Sequence, residues 1–203
     1  MSLAPDDHRR RLMAAAFQMP SVQTMVSRKS SITNAFVNAI IPVMPPTHEE
    51  IEEALRILGM TPEDVRCAYC GDRASEWDHL RPLVQKRRPT GYISEIANLV
   101  PACGKCNQSK GGTPWRKWIL GNAKLSPTRR GVTGISERIA CLEAFERWRS
   151  PARIDFAAAV GEAEWEHYWS LCEGIVGELR QCQQVADELR LRILSSVQPK
   201  SPP

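Results

Sequence analysis

Apolar residues in the first part of the chain recur at helical spacing. The pattern predicts a short helix over residues 7–18, an irregular polar stretch at 19–30, and a second helix over residues 32–41. Ser31 is expected to cap the second helix, because serine side chains accept the unpaired N–H groups of a first helical turn. Pro42 then ends it, since proline cannot continue the backbone hydrogen bonding.

A stronger helix signal follows. Thr47 and Glu50 have the spacing of a capping box, in which the two side chains each accept a backbone N–H of the first turn. Apolar residues then line one predicted face, and Gly59 is a suitable stop. Residues 61–64 are expected to form one more helical turn, with Pro62 at its first position.

The last third of the chain returns to helical spacing. An amphipathic helix is predicted over residues 135–148, and residues 155–197 stay helical. The latter stretch is expected to form two helices, with the break at Gly174 or Gly177. The tail at 199–203 is expected to be disordered.

Residues 67–112 differ in composition from the helical regions, because they are rich in glycine, proline, cysteine and asparagine. Residues 76–84 are predicted as one strand, and residues 92–100 as a return strand or a short helical turn. Between them, residues 86–91 form a basic, turn-rich connection. The predicted fold class is therefore α+β, with a small β-containing module inside a mostly helical chain.

Composition and charge limit the classes of protein to which this chain can belong. The 203 residues are 42% hydrophobic and 25% charged, which excludes wholesale disorder. No apolar run approaches the roughly 18 residues of a membrane span. Residues 61–130 hold 13 basic and 6 acidic side chains, a net of +7, although the whole chain nets only +4. This excess indicates either a local site for a polyanion or a solvated basic face without a ligand.

The cysteines point to a metal. Two CxxC pairs lie in the unusual segment: Cys67, Cys70, Cys103 and Cys106. Two such turns supply four thiolates, which suits a closed tetrahedral site for structural Zn²⁺; a redox pair is the alternative. An odd total of seven cysteines argues against a disulfide framework, so a reducing, cytoplasmic location is expected. The other three are expected to be buried thiols: Cys141, Cys172 and Cys182.

Further polar residues fall in order between and after these pairs. The elements are CxxC, DHxxP from Asp78 to Pro82, NLxP from Asn98 to Pro101, and CxxCNxxKG ending at Gly111. This arrangement resembles the HNH nucleases (ββα-metal or His-Me finger nucleases), and is most similar to their four-cysteine, zinc-bound branch.

The resemblance also implies a division of the chain. A helical region at 1–60 would precede an HNH ββα-metal module with its structural zinc at 61–120. A C-terminal helical region at 121–198 and the tail at 199–203 would follow.

The resemblance implies a role for each motif residue. His79 would be the general base, Asp78 and Asn107 would hold one catalytic Mg²⁺ or Mn²⁺, and Asn98 would brace the loop that presents the histidine. The residue types suit phosphodiester hydrolysis in any case. A neutral imidazole takes a proton from water near pH 7, and a hard cation prefers oxygen ligands. Neighbouring strand residues point to opposite faces, so Asp78 and His79 can both reach one phosphate only at a strand end or a distortion.

Basic side chains around the motif extend the predicted contact with nucleic acid. Contacts to phosphates hold the substrate in place without selecting a sequence. The predicted substrate-binding residues are Arg81, Lys86, Arg87, Arg88, Lys105 and Lys110.

Together these observations predict a metal-dependent HNH endonuclease acting on nucleic acid, with double-stranded DNA as the preferred substrate. Restriction or another defence role is the first biological interpretation. A non-catalytic zinc-bound DNA-binding or interaction module and an RNA-targeting nuclease are the alternatives. The C-terminal helices are a candidate homodimer interface, and no membrane contact is expected.

Overall fold

The computed structural model describes residues 5–16 and 20–197. The chain divides into two compact units. Residues 30–175 form the larger unit, which contains the sequence motif, and the described parts of residues 1–29 and 176–203 form the smaller one. The tail predicted to be disordered lies outside the described residues.

The N-terminal helices differ from prediction mainly at their ends. Helix α1 spans Pro5–Ala16, and a 3-10 turn at Met25–Arg28 interrupts the stretch predicted to be irregular. Helix α2 spans Lys29–Ile40. Ser31 therefore lies inside α2 and is not its cap, because the 3-10 turn runs straight into the helix and the helix starts three residues early.

Helix α3 spans His48–Ile57 and begins at the predicted capping box. The Thr47 hydroxyl accepts the Glu50 N–H at 3.2 Å, and the Glu50 carboxylate accepts the Thr47 N–H at 2.9 Å. Gly59 follows the helix with a φ of +69°, the left-handed conformation that favours glycine. Residues 61–64 form a tight turn and not the predicted helical turn: the Asp64 N–H donates to the Thr61 carbonyl, and the two residues pair as a β-bridge.

Two small antiparallel sheets follow. Strand β1 (Glu76–His79) pairs with β4 (Leu99–Ala102), with Asp78 opposite Val100 and His79 opposite Leu99. Strands β2 (Val84–Gln85) and β3 (Arg88–Pro89) form a separate two-stranded ribbon.

The single strand predicted over residues 76–84 is therefore wrong. The chain leaves β1 after His79, because the next two backbone N–H groups, of Leu80 and Arg81, donate to the carbonyl and side-chain oxygens of Asn98. Both alternatives for residues 92–100 occur in turn, as a 3-10 turn at Ile96–Asn98 followed by β4.

The remaining elements are helices. They are α4 (Gly104–Lys110), α5 (Trp115–Ile119), α6 (Ile135–Trp148), α7 (Phe156–Val160) and α8 (Glu162–Ser196). The bounds of α6 are those predicted. The predicted break at Gly174 or Gly177 is wrong, since both lie inside α8. The break is at Gly161, where φ is +98°. The fold is α+β, and none of the described helices is both long and apolar enough to cross a membrane.

Two hydrophobic clusters hold the larger unit together. The zinc-site core surrounds the four paired cysteines and includes Tyr69, Leu80, Trp115, Trp118, Leu142 and Phe145. The aromatic core includes Val37, Leu83, Phe156 and Trp169, with Phe36, Trp165 and Tyr168 packed against it. Of the three unpaired cysteines, only Cys172 is buried as predicted; Cys141 is half-buried and Cys182 is exposed, because its position on α8 faces outward.

Candidate active site

The four paired cysteines meet in a single buried cluster. Their sulfur atoms all lie within 4.8 Å of one another. The first pair is held in a tight turn by the Gly71 N–H donating to the Cys67 carbonyl at 2.8 Å, and the Ala68 N–H ties that turn to β4 through the Pro101 carbonyl. The donor set and its closed geometry fit a structural Zn²⁺, which four thiolates would leave with no open position.

Hydrogen bonds within the cluster favour a thiolate at Cys67. The neighbouring thiols of Cys106 and Cys70 donate to the Cys67 sulfur and lower the pKa of Cys67, and the same contacts raise the pKa of Cys106. The Arg130 guanidinium donates to the Cys106 sulfur at 3.3 Å and pairs with Asp72 at 3.0 Å. Arg130 therefore supports the cysteine cluster.

Asp78 lies on the inner face of β1 and is only 6% exposed. One carboxylate oxygen accepts the Tyr69 hydroxyl at 2.5 Å and the Lys110 ammonium at 2.9 Å, and the other accepts Lys110 at 3.2 Å. Burial raises the pKa of Asp78, and the positive charge of Lys110 opposes that rise.

Lys110 does not have the position expected of a substrate contact. It is 1% exposed, and its ammonium also donates to the His79 carbonyl at 2.8 Å. A buried ammonium needs a compensating anion, and Asp78 supplies it. Lys110 thus bridges the end of α4 to β1 inside the protein.

His79 ends β1 and is half-buried. Its Nε2 lies 2.8 Å from the Ser94 hydroxyl. Burial, together with the nearby positive charge of Lys110, lowers the pKa of His79 to about 4, so the ring is neutral at pH 7. A neutral imidazole has one N–H; when Nε2 carries it and donates to Ser94, Nδ1 keeps a free lone pair. Within residues 20–197, Nδ1 has no hydrogen-bond partner.

Asn107 comes from α4, directly after the last cysteine. Its side-chain NH₂ donates to the Glu76 carboxylate at 2.6 Å. An amide has one nitrogen and one oxygen end, so holding the nitrogen leaves the oxygen available on the other side. Glu76 therefore sets which end of Asn107 is presented.

Asn98 is fully buried, and its side chain hydrogen-bonds to the backbone of Arg81. Its side-chain oxygen accepts the Arg81 N–H at 2.8 Å, and its NH₂ donates to the Arg81 carbonyl at 3.0 Å. These bonds fix the chain just after His79, so Asn98 lies where it can hold the loop that carries the histidine.

The predicted catalytic residues line a single cleft of about 370 Å³. Asp78, His79 and Asn107 all line it, although Asn107 is far from the other two in sequence. The pair of adjacent residues reaches the same cleft because β1 ends at His79. Asn34 and Asn38 of α2 also line it.

Sequence reasoning missed several residues of this cleft and its support. Asn34 and Asn38 are four positions apart, so they lie on one face of α2. This spacing is visible in the sequence, but it does not belong to a recognised functional motif. Ser94 and Glu76 had no local signal, because each acts through a contact distant in sequence.

The donors fit a hard divalent cation. Asp78 offers a carboxylate with three of its roughly four acceptor positions used, and Asn107 offers an amide oxygen. Oxygen donors without sulfur or imidazole are what Mg²⁺ and Mn²⁺ prefer.

The predicted substrate-binding cations divide into two groups. Lys86, Arg87 and Lys105 are exposed. Arg81 pairs with Glu146 at 3.2 Å. Arg88 pairs with Glu166 and Glu173 of α8, and lies 5.0 Å from the centre of the Trp169 ring.

Comparison with known proteins agrees with this geometry. Residues 67–113 match the family model described as HNH endonuclease. This segment is an HNH endonuclease domain. The chain is also 42% identical, over 123 aligned residues, to a CRISPR-associated endonuclease Cas9 from Corynebacterium diphtheriae. The alignment covers 51% of this chain but only 11% of that relative, so the chain spans about a tenth of its length. No solved structure matches the chain. The HNH domain contains all four clustered cysteines, together with Asp78, His79 and Asn107.

Proposed function

We propose that this protein is a metal-dependent endonuclease that hydrolyses phosphodiester bonds of nucleic acid, with double-stranded DNA as the substrate. The observation that carries the proposal is the convergence of Asp78, His79 and Asn107 on one open cleft. The HNH domain and the relative named as an endonuclease support the same reaction.

His79 is the proposed general base. Its Nδ1 takes a proton from a water molecule, the water oxygen bonds to phosphorus, and the bond from phosphorus to the 3′-oxygen breaks. The leaving 3′-oxygen takes a proton from solvent water, so the products carry a 5′-phosphate and a 3′-hydroxyl. The lowered pKa of His79 keeps the imidazole neutral, and therefore able to accept that proton, throughout the neutral range.

Asp78 and Asn107 are the proposed holders of one Mg²⁺ or Mn²⁺. When bound, such an ion neutralises phosphate charge and stabilises the leaving oxygen. Asp78 is kept in place by Tyr69 and Lys110, and Asn107 by Glu76. The zinc has a structural role, because Cys106 is the residue before Asn107 and fixing one fixes the other.

Exposed cations supply the proposed contacts to the nucleic-acid backbone. Lys86 and Arg87 form the tip of the β2–β3 ribbon with φ values of +50° and +66°. Asparagine and glycine are the residues that favour this turn, so two cations there cost conformational energy. Val84, at the base of this ribbon, lines the cleft, and the strained basic tip supports a role in substrate contact. Lys105 is the third exposed cation of this set.

The decisive experiment is cleavage of supercoiled plasmid with Mg²⁺, compared with EDTA and with the His79→Ala variant. Cutting should require the divalent ion and fall at least about a hundredfold in the variant, the usual scale of general-base catalysis. His167→Ala is the matched control, since His167 is exposed on α8. Equal cutting by His79→Ala and His167→Ala would overturn the mechanism. Parallel incubation with RNA tests the substrate class.

We also propose that the protein forms a homodimer through the C-terminal part of α8. The proposed biological role is defence, and the proposed location is the reducing cytoplasm. Within the smaller unit, Val185, Leu189 and Ile193 recur every four residues and are more than half exposed. The relative that part of the chain matches is named a CRISPR-associated endonuclease. Sedimentation of the wild type and of Leu189→Glu tests the dimer; a wild-type monomer at working concentration would contradict it.

A further inference from the structure

A second cleft, of about 480 Å³, adjoins the catalytic one. The two share Pro82 and Gly112 in their walls. Three arginines line the second cleft, Arg81, Arg116 and Arg153. We call it the arginine cleft.

Two of these guanidinium groups are held in fixed positions. The guanidinium carbons of Arg81 and Arg153 lie 6.0 and 5.7 Å from the centre of the Tyr92 ring. Arg153 also donates to the Thr90 carbonyl at 3.2 Å. The backbone of Arg81 is clamped by Asn98. Groups held in this way lose little freedom when they bind a ligand.

The cleft carries more positive charge than its own acids neutralise. Glu146 is the carboxylate in its wall and pairs with Arg81, while Arg116 pairs with Glu143. Arg153 is exposed, and across residues 5–16 and 20–197 it has no carboxylate within ion-pair distance; its one side-chain hydrogen bond is to the Thr90 carbonyl. Guanidinium donors are therefore left for an anion.

We propose that the arginine cleft binds a phosphodiester group of the nucleic acid, on the same strand as the group that is cut. This inference rests on the proposed function. Guanidinium groups match the oxygens of a phosphate in two-point contacts. Arg81 is two residues beyond His79, which is at most about 7 Å along the backbone, so neighbouring phosphates of one strand reach both clefts. Contacts of this kind fix the strand without reading bases.

Binding of a fluorescent DNA duplex, measured by anisotropy at several salt concentrations, tests the proposal. The protein is the full chain carrying His79→Ala, so that the duplex is not cut. Adding Arg153→Gln should weaken binding about five- to tenfold at low salt and reduce the slope of log K against log salt by about one. Arg153→Lys should restore the slope while leaving part of the affinity loss, because lysine keeps the charge but not the planar donor pair.

Arg56→Gln is the matched control, because Arg56 is an exposed arginine on α3 that pairs with Glu53. Identical affinity and slope for Arg153→Gln and Arg56→Gln would overturn the arginine cleft even if the plasmid is cut. Reduced slope in Arg153→Gln, in a protein that fails to cut plasmid, would support the cleft while removing the nuclease proposal.

Discussion

The zinc-site core and the aromatic core stabilise the same unit by different means. The zinc-site core contains the four buried cysteines of the metal site. In the same core, Tyr69 and Trp118 pack edge to face, with ring centres 5.2 Å apart. The aromatic core contains one cysteine, Cys172, but no cluster of metal-ligating side chains among its described residues. It depends on contacts such as Trp165 with Trp169, at 5.5 Å, and Phe36 with Tyr168, at 5.1 Å.

The two cores also supply different parts of the cleft. The zinc-site core positions Asp78 through Tyr69 and Asn107 through Cys106, so it holds both residues proposed to bind the catalytic ion. The aromatic core holds α2, whose Asn34 and Asn38 also line the cleft. A metal site can fix a few residues tightly in a segment with few apolar side chains, whereas a packed helix only supplies a surface.

The largest expected effect is loss of zinc. Cys67→Ala removes one of four ligands, and structural zinc contributes on the order of 10 kcal/mol to such sites. We expect loss of bound zinc by native mass spectrometry and a strongly lowered melting temperature. Hydrogen exchange should rise first in residues 67–111. Cys182→Ala, at an exposed cysteine, is the control. Full zinc content and an unchanged melting temperature in Cys67→Ala would contradict the assignment of this cluster.

The second largest expected effect is the loss of stability when a buried side chain of the aromatic core is truncated. Trp169 is 1% exposed, and truncating a buried tryptophan to alanine costs about 3–5 kcal/mol. Trp169→Ala should lower the free energy of unfolding in urea by that amount while zinc content stays unchanged. Trp77→Ala is the control, because Trp77 is 57% exposed and its loss should cost less than about 0.5 kcal/mol. Zinc loss in Trp169→Ala would mean that the two cores do not fold independently.

The sequence predicted best what depends on near neighbours. The capping box of α3 and both ends of α6 follow from spacing within a turn or two of helix. The cysteine cluster was predictable because CxxC fixes two ligands at one turn.

Contacts between distant segments could not be predicted in the same way. The early end of β1 depends on Asn98, and the buried position of Lys110 depends on Asp78, 32 residues away. The break at Gly161 was missed because three glycines in that region look alike in sequence, and only one has a positive φ.

The smallest expected effect concerns Ser94, which joins His79 to the segment before α3. Its backbone N–H donates to the Pro42 carbonyl at 3.1 Å, and its carbonyl accepts the Met44 N–H at 2.8 Å. Ser94→Ala removes the acceptor for Nε2–H, so the proton can move to Nδ1, the proposed base. We expect about a tenfold lower kcat, with KM nearly unchanged, which corresponds to about 1.4 kcal/mol.

Ser94→Thr keeps the hydroxyl and should recover most of the rate lost in Ser94→Ala. The ¹⁵N shifts of His79 report the tautomer directly: the wild type should show the Nε2–H form, and Ser94→Ala a mixture. An unchanged tautomer together with an unchanged kcat would show that the serine does not orient the ring. Residues 42–44, which lie outside the HNH domain and hydrogen-bond to the Ser94 backbone, would then have no influence on catalysis. The HNH domain would position His79 without them.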